Sequence, residues 1–314
     1  MFGRLSFGLA LSRAGATRLS FGFADGALPP GVALSRASAA HYRDASGVWT
    51  VAAVDAPRFS YRWNGSAFVM GGLMIEAAAT NLVLQSRDLN AAIWTKSGVT
   101  ASANRLTETA VLGDHRTNQA VSYNSGDSYC LSVEASDVAG SPKRYLVLLL
   151  AAAAFGGANR FAKFDLATGT VTYVVGGATA GIEPIGAGRW MCWIASVASA
   201  TIAASGQLRI DNAAGSSLAN YTGDIAAAID ISDVQIEVGT RPTSRIPTTT
   251  APIARAADAV TINWGSRGVS DGTITVRYVF ADGSAQQVVT TIASGLSAVP
   301  TPLNRSTVGR IEKV

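Results

Sequence analysis

Apolar positions along this chain recur every second residue, the period of strands, and seldom every third or fourth. In SYCLSVEAS (128–136), Tyr129, Leu131, Val133 and Ala135 fall on one face of a pleated strand. YLVLLLAAAA (145–154) is apolar without interruption, as in a strand covered on both faces. RFAKFDLATGTVTYVV (160–175) predicts a hairpin turning at Ala167-Thr168-Gly169. RWMCWIASV (189–197), GQLRID (206–211) and IDISDVQIEV (229–238) complete the set, and the last shifts its apolar phase near Ser232, which predicts a β-bulge. Short strands, glycine-rich turns and no helical period indicate a sandwich or jelly roll.

The flanks carry hairpin signals. SAAHYR and VWTVAAV surround Asp44-Ala45-Ser46-Gly47, and FSYRW and SAFVM surround Asn64-Gly65, a strong two-residue turn. An echo precedes them: RLSFG occurs at 4–8 and 18–22, and ALSRA at 10–14 and 33–37, which fits repeated short strands in an extended arm. After Gly239, TRPTSRIPTTTAPIARAAD looks like an extended linker. GTITVRYVF and SAQQVVTTI then pair around Asp282-Gly283, with TVGRIEKV as a third strand. The expected organisation is all-β: an N-terminal hairpin region (1–85), a central sandwich (86–245), a linker (246–264) and a small C-terminal β-module (265–314).

Composition narrows the function classes. Of 314 residues 48% are apolar and only 15% charged, which argues against disorder and for surface that is uncharged or covered by partner subunits. Residues 1–62 hold seven Arg against three Asp, 7 − 3 = +4, so the remainder is balanced against the total of +4. The arginines are spread out, without the basic–aromatic face of a nucleic-acid reader, so no nucleic-acid partner is expected. An arm docking on an acidic protein surface is the sharper reading of that charge. No run approaches the length of a membrane-spanning helix, and Arg13 interrupts a signal-like stretch at 5–16 that is read as mature sequence.

Candidate chemistry is sparse. Cys130 and Cys192 lie in separate strands and read as core thiols, with a disulfide as the alternative; no metal site is indicated. His41, expected on a strand, and His115, expected in a loop, stand in no nucleophile–base motif, and no phosphate-binding glycine loop is present. Glu134, Asp137, Glu183 and Asp224 would make a glycosidase only as a convergent pair. What remains is aromatic surface, suited to stacking on the apolar faces of sugars. Trp190, Trp193, Tyr145 and Tyr221 are the candidate carbohydrate-binding residues, from a set that includes Tyr123, Tyr129 and Phe155. Trp190 and Trp193 lie at odd spacing, so they face opposite sides of their strand.

GGLMIEAAATNLVLQSRDLNAAIWTKSG (71–98) resembles a segment shared by phage head-spike and tail-fibre proteins. LPPGVALSRASAAHYRDASGVWTVAAVDAPRFSY (28–61) resembles the family's lead-in and VQIEVGTRPTSRIPTTTAPIARAADAVTI (234–262) its exit, so the matches bracket residues 28–262 in order. The chain departs from the pattern at Ala77-Ala78-Ala79, where a charged residue is usual, and at Leu89, where an aromatic is common. The resemblance implies a non-enzymatic virion-surface protein, assembled in the host cytoplasm, with a lectin-like jelly roll similar to carbohydrate-binding modules. It implies partners among other virion proteins through the N-terminal region, host surface polysaccharide as ligand, and a homo-oligomer, a trimer before a pentamer. No cofactor is implied, and nothing in the sequence supports a structural calcium. Leu73 and Ile75 would finish a basal sheet, Asn81 would turn the chain, and Trp94 would plug the sandwich. A purely architectural spacer or capsid decoration is the alternative, and a polysaccharide depolymerase a third reading.

Overall fold

A computed structural model describes residues 19–314. The first copies of the RLSFG and ALSRA echo lie outside the described residues, whereas the second copies contribute strands Ser20–Gly22 and Val32–Ser35. Apart from two single-turn 3-10 segments, the regular structure of the described residues is strand, and the strands pair antiparallel. Among these residues no helix is long and apolar enough to cross a membrane.

Residues of the central region form two facing six-stranded sheets. The first runs Thr179–Gly186, Arg189–Val197, Ser128–Asp137, Ala228–Val238, Arg105–Glu108, Val99–Ala101. The second runs Thr170–Val174, Arg160–Asp165, Tyr145–Leu150, Ile202–Asp211, His115–Tyr123, Thr95–Ser97. Alternation explains the core between them: Leu131 and Val133 from one sheet meet Leu146, Leu148 and Leu150 from the other. The intervening Val147 and Leu149 point to the outer face, where Phe161 and the loop residue Leu218 cover them. That is why this strand is apolar at every position. Lys163 is buried on the same outer face. Its ammonium donates to Asp211 Oδ2 at 2.9 Å and to the carbonyls of Ala213 and Ser217 at 2.8 and 2.6 Å, pinning the loop that carries Leu218. His115 opens a strand and is fully buried, contrary to the loop expected for it.

Described residues before and after the sandwich build one base. A sheet runs Ala285–Ile292, Gly272–Phe280, Thr307–Lys313, Phe68–Met74, Phe59–Trp63, with Ser20–Gly22 on the far end of Thr307–Lys313. Val32–Ser35, Ala259–Asn263 and Leu296–Ala298 form a second layer. Phe21, Leu73, Ile75, Trp264, Tyr278 and Ile311 share its core. This corrects the separate N-terminal region, linker and C-terminal module expected from the sequence. Residues 265–314 share a sheet with residues 59–74, and the supposed linker supplies strands Ile253–Arg255 and Ala259–Asn263. The reason is burial: each region alone lacks a second layer to cover its apolar face.

A polar joint fastens base to sandwich. Arg36 Nη1 donates to Asp258 Oδ1 at 3.1 Å, and Arg58 Nη2 to Asp258 Oδ2 at 2.5 Å. Arg58 Nη1 also reaches Glu76 Oε2 at 2.8 Å and Ser244 Oγ at 2.7 Å. These arginines and Asp258 are fully buried. Burial works against the Glu76 charge, but Arg58, Arg255 and the bonds from Ser244 together outweigh it and hold the carboxyl at about 2. Asn81 turns the chain with every polar atom engaged. Its Nδ2 donates to the Val234 and Ile246 carbonyls, and its Oδ1 accepts from the amides of Val83 and Ile236. Leu73 and Ile75 are buried in the base and Trp94 in the sandwich core, its Nε1 donating to the Gln85 carbonyl at 3.2 Å.

Glu237, beside this joint, is buried and accepts bonds from Thr243 and Gln235. Burial raises its carboxyl from 4.5 to about 7 despite those bonds. A folded pKa above the unfolded one means the folded chain holds this proton more tightly. Its stabilisation is therefore full below about pH 4.5 and lost as pH rises through 7. Glu237→Gln is expected to remove that loss, on the order of 3 kcal/mol, from urea-denaturation stabilities compared between pH 4.5 and 8. Parallel pH curves for variant and parent would contradict it.

Candidate functional site

The bulge foreseen near Ser232 exists: the register of Ala228–Val238 against Ser128–Asp137 shifts between Ser132 and Glu134. The extra residue, Asp233, takes a left-handed φ of 52°. Such an insertion re-aims a side chain out of the ladder. Here it lines a cleft of about 720 Å³ between the first sandwich sheet and the base hairpin Ala40–Arg43/Trp49–Ala52. A smaller recess of about 220 Å³ shares Asn104, Arg189 and Ser232 with it and reaches Glu134.

Charge and aromatics meet in this cleft. Glu134, with a side chain 1% exposed, accepts from Arg43 Nη2 and from Trp49 Nε1 (2.6 Å) on one oxygen. Its other oxygen accepts from Arg189 Nη2 at 2.9 Å. Asp233 faces Arg87 Nε at 3.2 Å and Arg245 Nη1 at 3.4 Å. Burial raises the Asp233 carboxyl, Arg245 opposes the rise, and the charge of Glu134 adds to it. Two guanidiniums lie near the Trp49 ring, Arg43 at 4.3 Å and Arg245 at 5.8 Å from its centroid, within cation–π range. Phe68 also lines the cleft, its ring packed over Gly47 in the hairpin turn. On the rim Arg105 and Asp230 pair at 2.6 Å. Four arginines (43, 87, 189, 245) line the cleft and its recess against Glu134, Asp230 and Asp233, 4 − 3 = +1; Arg105, which lines neither, pairs with Asp230 and brings the local balance to +2.

Both Glu134 oxygens are engaged by donors, so this carboxylate acts as an anchor for three cleft side chains. His41 sits in the hairpin strand, and burial together with Arg245 lowers it to about 4, leaving it neutral near pH 7. Among the described residues no group of three His, Cys, Asp or Glu is placed to hold a metal ion. Cys130 and Cys192 are free and buried, on opposite faces of the first sheet.

The four aromatic candidates do not converge. Trp190 packs against the sandwich core, its ring over Gly169 and its Nε1 donating to the Leu166 carbonyl at 2.7 Å. Trp193 faces the opposite side of the strand, as its spacing requires, but is 5% exposed, lying against Gly181 with Arg241 5.3 Å from its ring. A buried ring offers no face to a sugar, which corrects the expectation for Trp193. Tyr145 is half-buried on the second sheet, beside Lys143 and next to Asp211 on the neighbouring strand. Tyr221 donates to Glu108 Oε1 at 2.5 Å and packs at a tilt against His115, their ring centroids 4.5 Å apart. Of the acidic candidates only Glu134 reaches the cleft.

Trp49, Phe68 and the cleft arginines were missed as site residues. Of these only Arg43 carried a signal, as part of the arginine excess of residues 1–62; the phase shift near Ser232 pointed instead to Asp233. No known family's sequence pattern matches the chain, and no curated protein matches it.

Proposed function

We propose that this is a non-enzymatic virion-surface protein, a head spike or tail fibre of a phage or phage-like particle, that binds host surface glycan. The observation that carries the proposal is the cleft, where Trp49 and Phe68 stand beside half-exposed guanidiniums on a rigid β-scaffold. Apolar ring faces with a few oriented polar groups are what a sugar site needs. The engaged oxygens of Glu134 favour binding over hydrolysis, which would need a carboxyl free to protonate a leaving group.

We read the sandwich as a jelly roll, similar to carbohydrate-binding modules. Numbering its eight principal strands in chain order, from Arg105–Glu108 to Ala228–Val238, the sheets run 6-3-8-1 and 5-4-7-2. That order supports two interleaved Greek keys. The resemblance of residues 28–262 to head-spike and tail-fibre proteins supports the particle setting. The joint supports it too, since Glu76 and Asp258, which it depends on, fall in the resembling segments. For attachment through the N-terminal region and for a homo-oligomer, the support is the exposed Val48, Val51 and Val54 in and beside the hairpin. Oligomerisation would add avidity to weak individual sites.

The test is titration of the full chain with polysaccharide from candidate host cells, with reducing ends assayed in parallel. Saturable binding without new reducing ends is expected. Release of reducing ends would favour a depolymerase. Absence of binding to every preparation would favour the architectural reading, for which the burial of Trp193 is the specific support.

A further inference from the structure

We infer that the cleft selects an anionic sugar, a residue bearing a carboxylate on its ring, over neutral glycans. The inference rests on the glycan-binding reading above and adds the ligand's charge class and the side chains that hold it. Arg87 and Arg189 line the cleft with side chains 58% and 50% exposed. Each uses one nitrogen on a cleft carboxylate, Arg87 Nε on Asp233 and Arg189 Nη2 on Glu134. The Arg87 contact is an ion pair that leaves Asp233 Oδ1 without a hydrogen bond, whereas the Arg189 contact is a hydrogen bond; neither side chain makes a further hydrogen bond among the described residues. Their remaining N–H groups form planar forks that match a carboxylate bidentately. The carboxylates bias the placement of these forks, Arg189 through a hydrogen bond and Arg87 through an ion pair, which lowers the conformational freedom to be lost on binding.

Charge and shape agree with this assignment. The cleft and its rim hold a net +2, and the two carboxylates that could repel an anion are both engaged by guanidiniums. Arg245 adds a guanidinium whose Nε is buried and has no hydrogen-bond partner. Phe68 and Ile185 supply apolar wall for the ring that carries the charge. A neutral sugar would leave the arginine forks desolvated and unmatched.

Polygalacturonate, its fully methyl-esterified form, dextran sulfate and dextran serve as probes for the full chain. Esterification removes the charge and keeps the ring. Polygalacturonate is expected to bind at least tenfold more tightly than its ester or dextran, and to weaken as salt rises. Dextran sulfate separates a carboxylate requirement from charge alone: binding below polygalacturonate is expected, and binding equal to or above it would overturn the carboxylate assignment. The R87A/R189A double variant is expected to lose at least tenfold in affinity for polygalacturonate. Arg160→Ala, on the other sheet of the sandwich, is expected to leave that affinity unchanged. Neither variant removes a core side chain, so a cooperative urea transition is expected in each, with the midpoint of the double variant lowered by loss of the Arg189 bond to buried Glu134. Equal binding of polygalacturonate and its ester would overturn the inference and leave the glycan reading standing, as would an unaffected double variant. Absence of binding to all four probes would overturn the inference, while the glycan reading is judged separately on host polysaccharide.

Discussion

Asp258→Ala is expected to be among the most damaging single substitutions in this protein, costing about 3–5 kcal/mol of stability. Among the described residues Asp258 is the only carboxylate bonded to the Arg36 guanidinium, whose other donors go to the carbonyls of Ser38 and Ala53; the Arg36 amide bonds Asp55. Removing the carboxylate leaves a fully buried guanidinium without a counter-charge. Arg58 keeps Glu76 and suffers less. The Glu76 amide, which donates to Asp258 at 2.9 Å, also loses its acceptor. Urea denaturation of the full chain measures the cost. A loss under about 1 kcal/mol would place the joint among surface ion pairs, which contribute little.

Gly72→Ala is the second large effect, acting through the backbone. Gly72 lies in Phe68–Met74 at φ 129°, a conformation that a side chain strains, and a Cβ there would overlap the carbonyl oxygen of Val308 on the neighbouring strand. The neighbour is backbone, so nothing flexible can yield. Strain and overpacking together are expected to cost about 2–5 kcal/mol. The damage should be confined first to the base, where Leu73 pairs with both Phe59 and Val308. In hydrogen exchange, amides of Gly272–Phe280 and Thr307–Lys313 should lose protection before those of Ser128–Asp137. Equal loss in base and sandwich would mean that the two unfold as one unit.

These two residues show where sequence reading succeeds and where it stops. Local periodicity predicted a bulge near Ser232, found at Asp233, a doubly covered strand at 145–154, of which Tyr145–Leu150 is strand and Ala152–Ala154 a 3-10 turn, and the hairpins around Asn64-Gly65, Gly169 and Gly283, because each depends on neighbours a few residues apart. Partners far apart in the chain leave no such trace. Val308 meets Leu73, and Asp258 meets Arg58, 200 positions away. An alternating strand reports which face is buried and is silent on what buries it. Residues 246–264 looked like a linker because they are rich in Pro, Thr and Ala, and several of their buried members are polar. Thr248, Arg255 and Asp258 follow no apolar period, yet all three are buried at the joint. The cleft was hidden for the same reason: Arg43, Glu134, Arg189 and Asp233 come from separate segments, and only the folded chain brings them together. Trp190 and Trp193 were distributed correctly to opposite faces, but exposure depended on Gly169, Gly181 and Arg241, distant in strand or loop.

The central claim is that the cleft at the hairpin–sandwich junction is where this protein holds its ligand. A crystal of the full chain soaked with an oligogalacturonate tests it most directly. The account expects sugar density beside Phe68 and Trp49, with a carboxylate within hydrogen-bond distance of Arg87 or Arg189. Sugar bound instead on the outer face of the second sandwich sheet, near Tyr145, with the cleft empty, would contradict it.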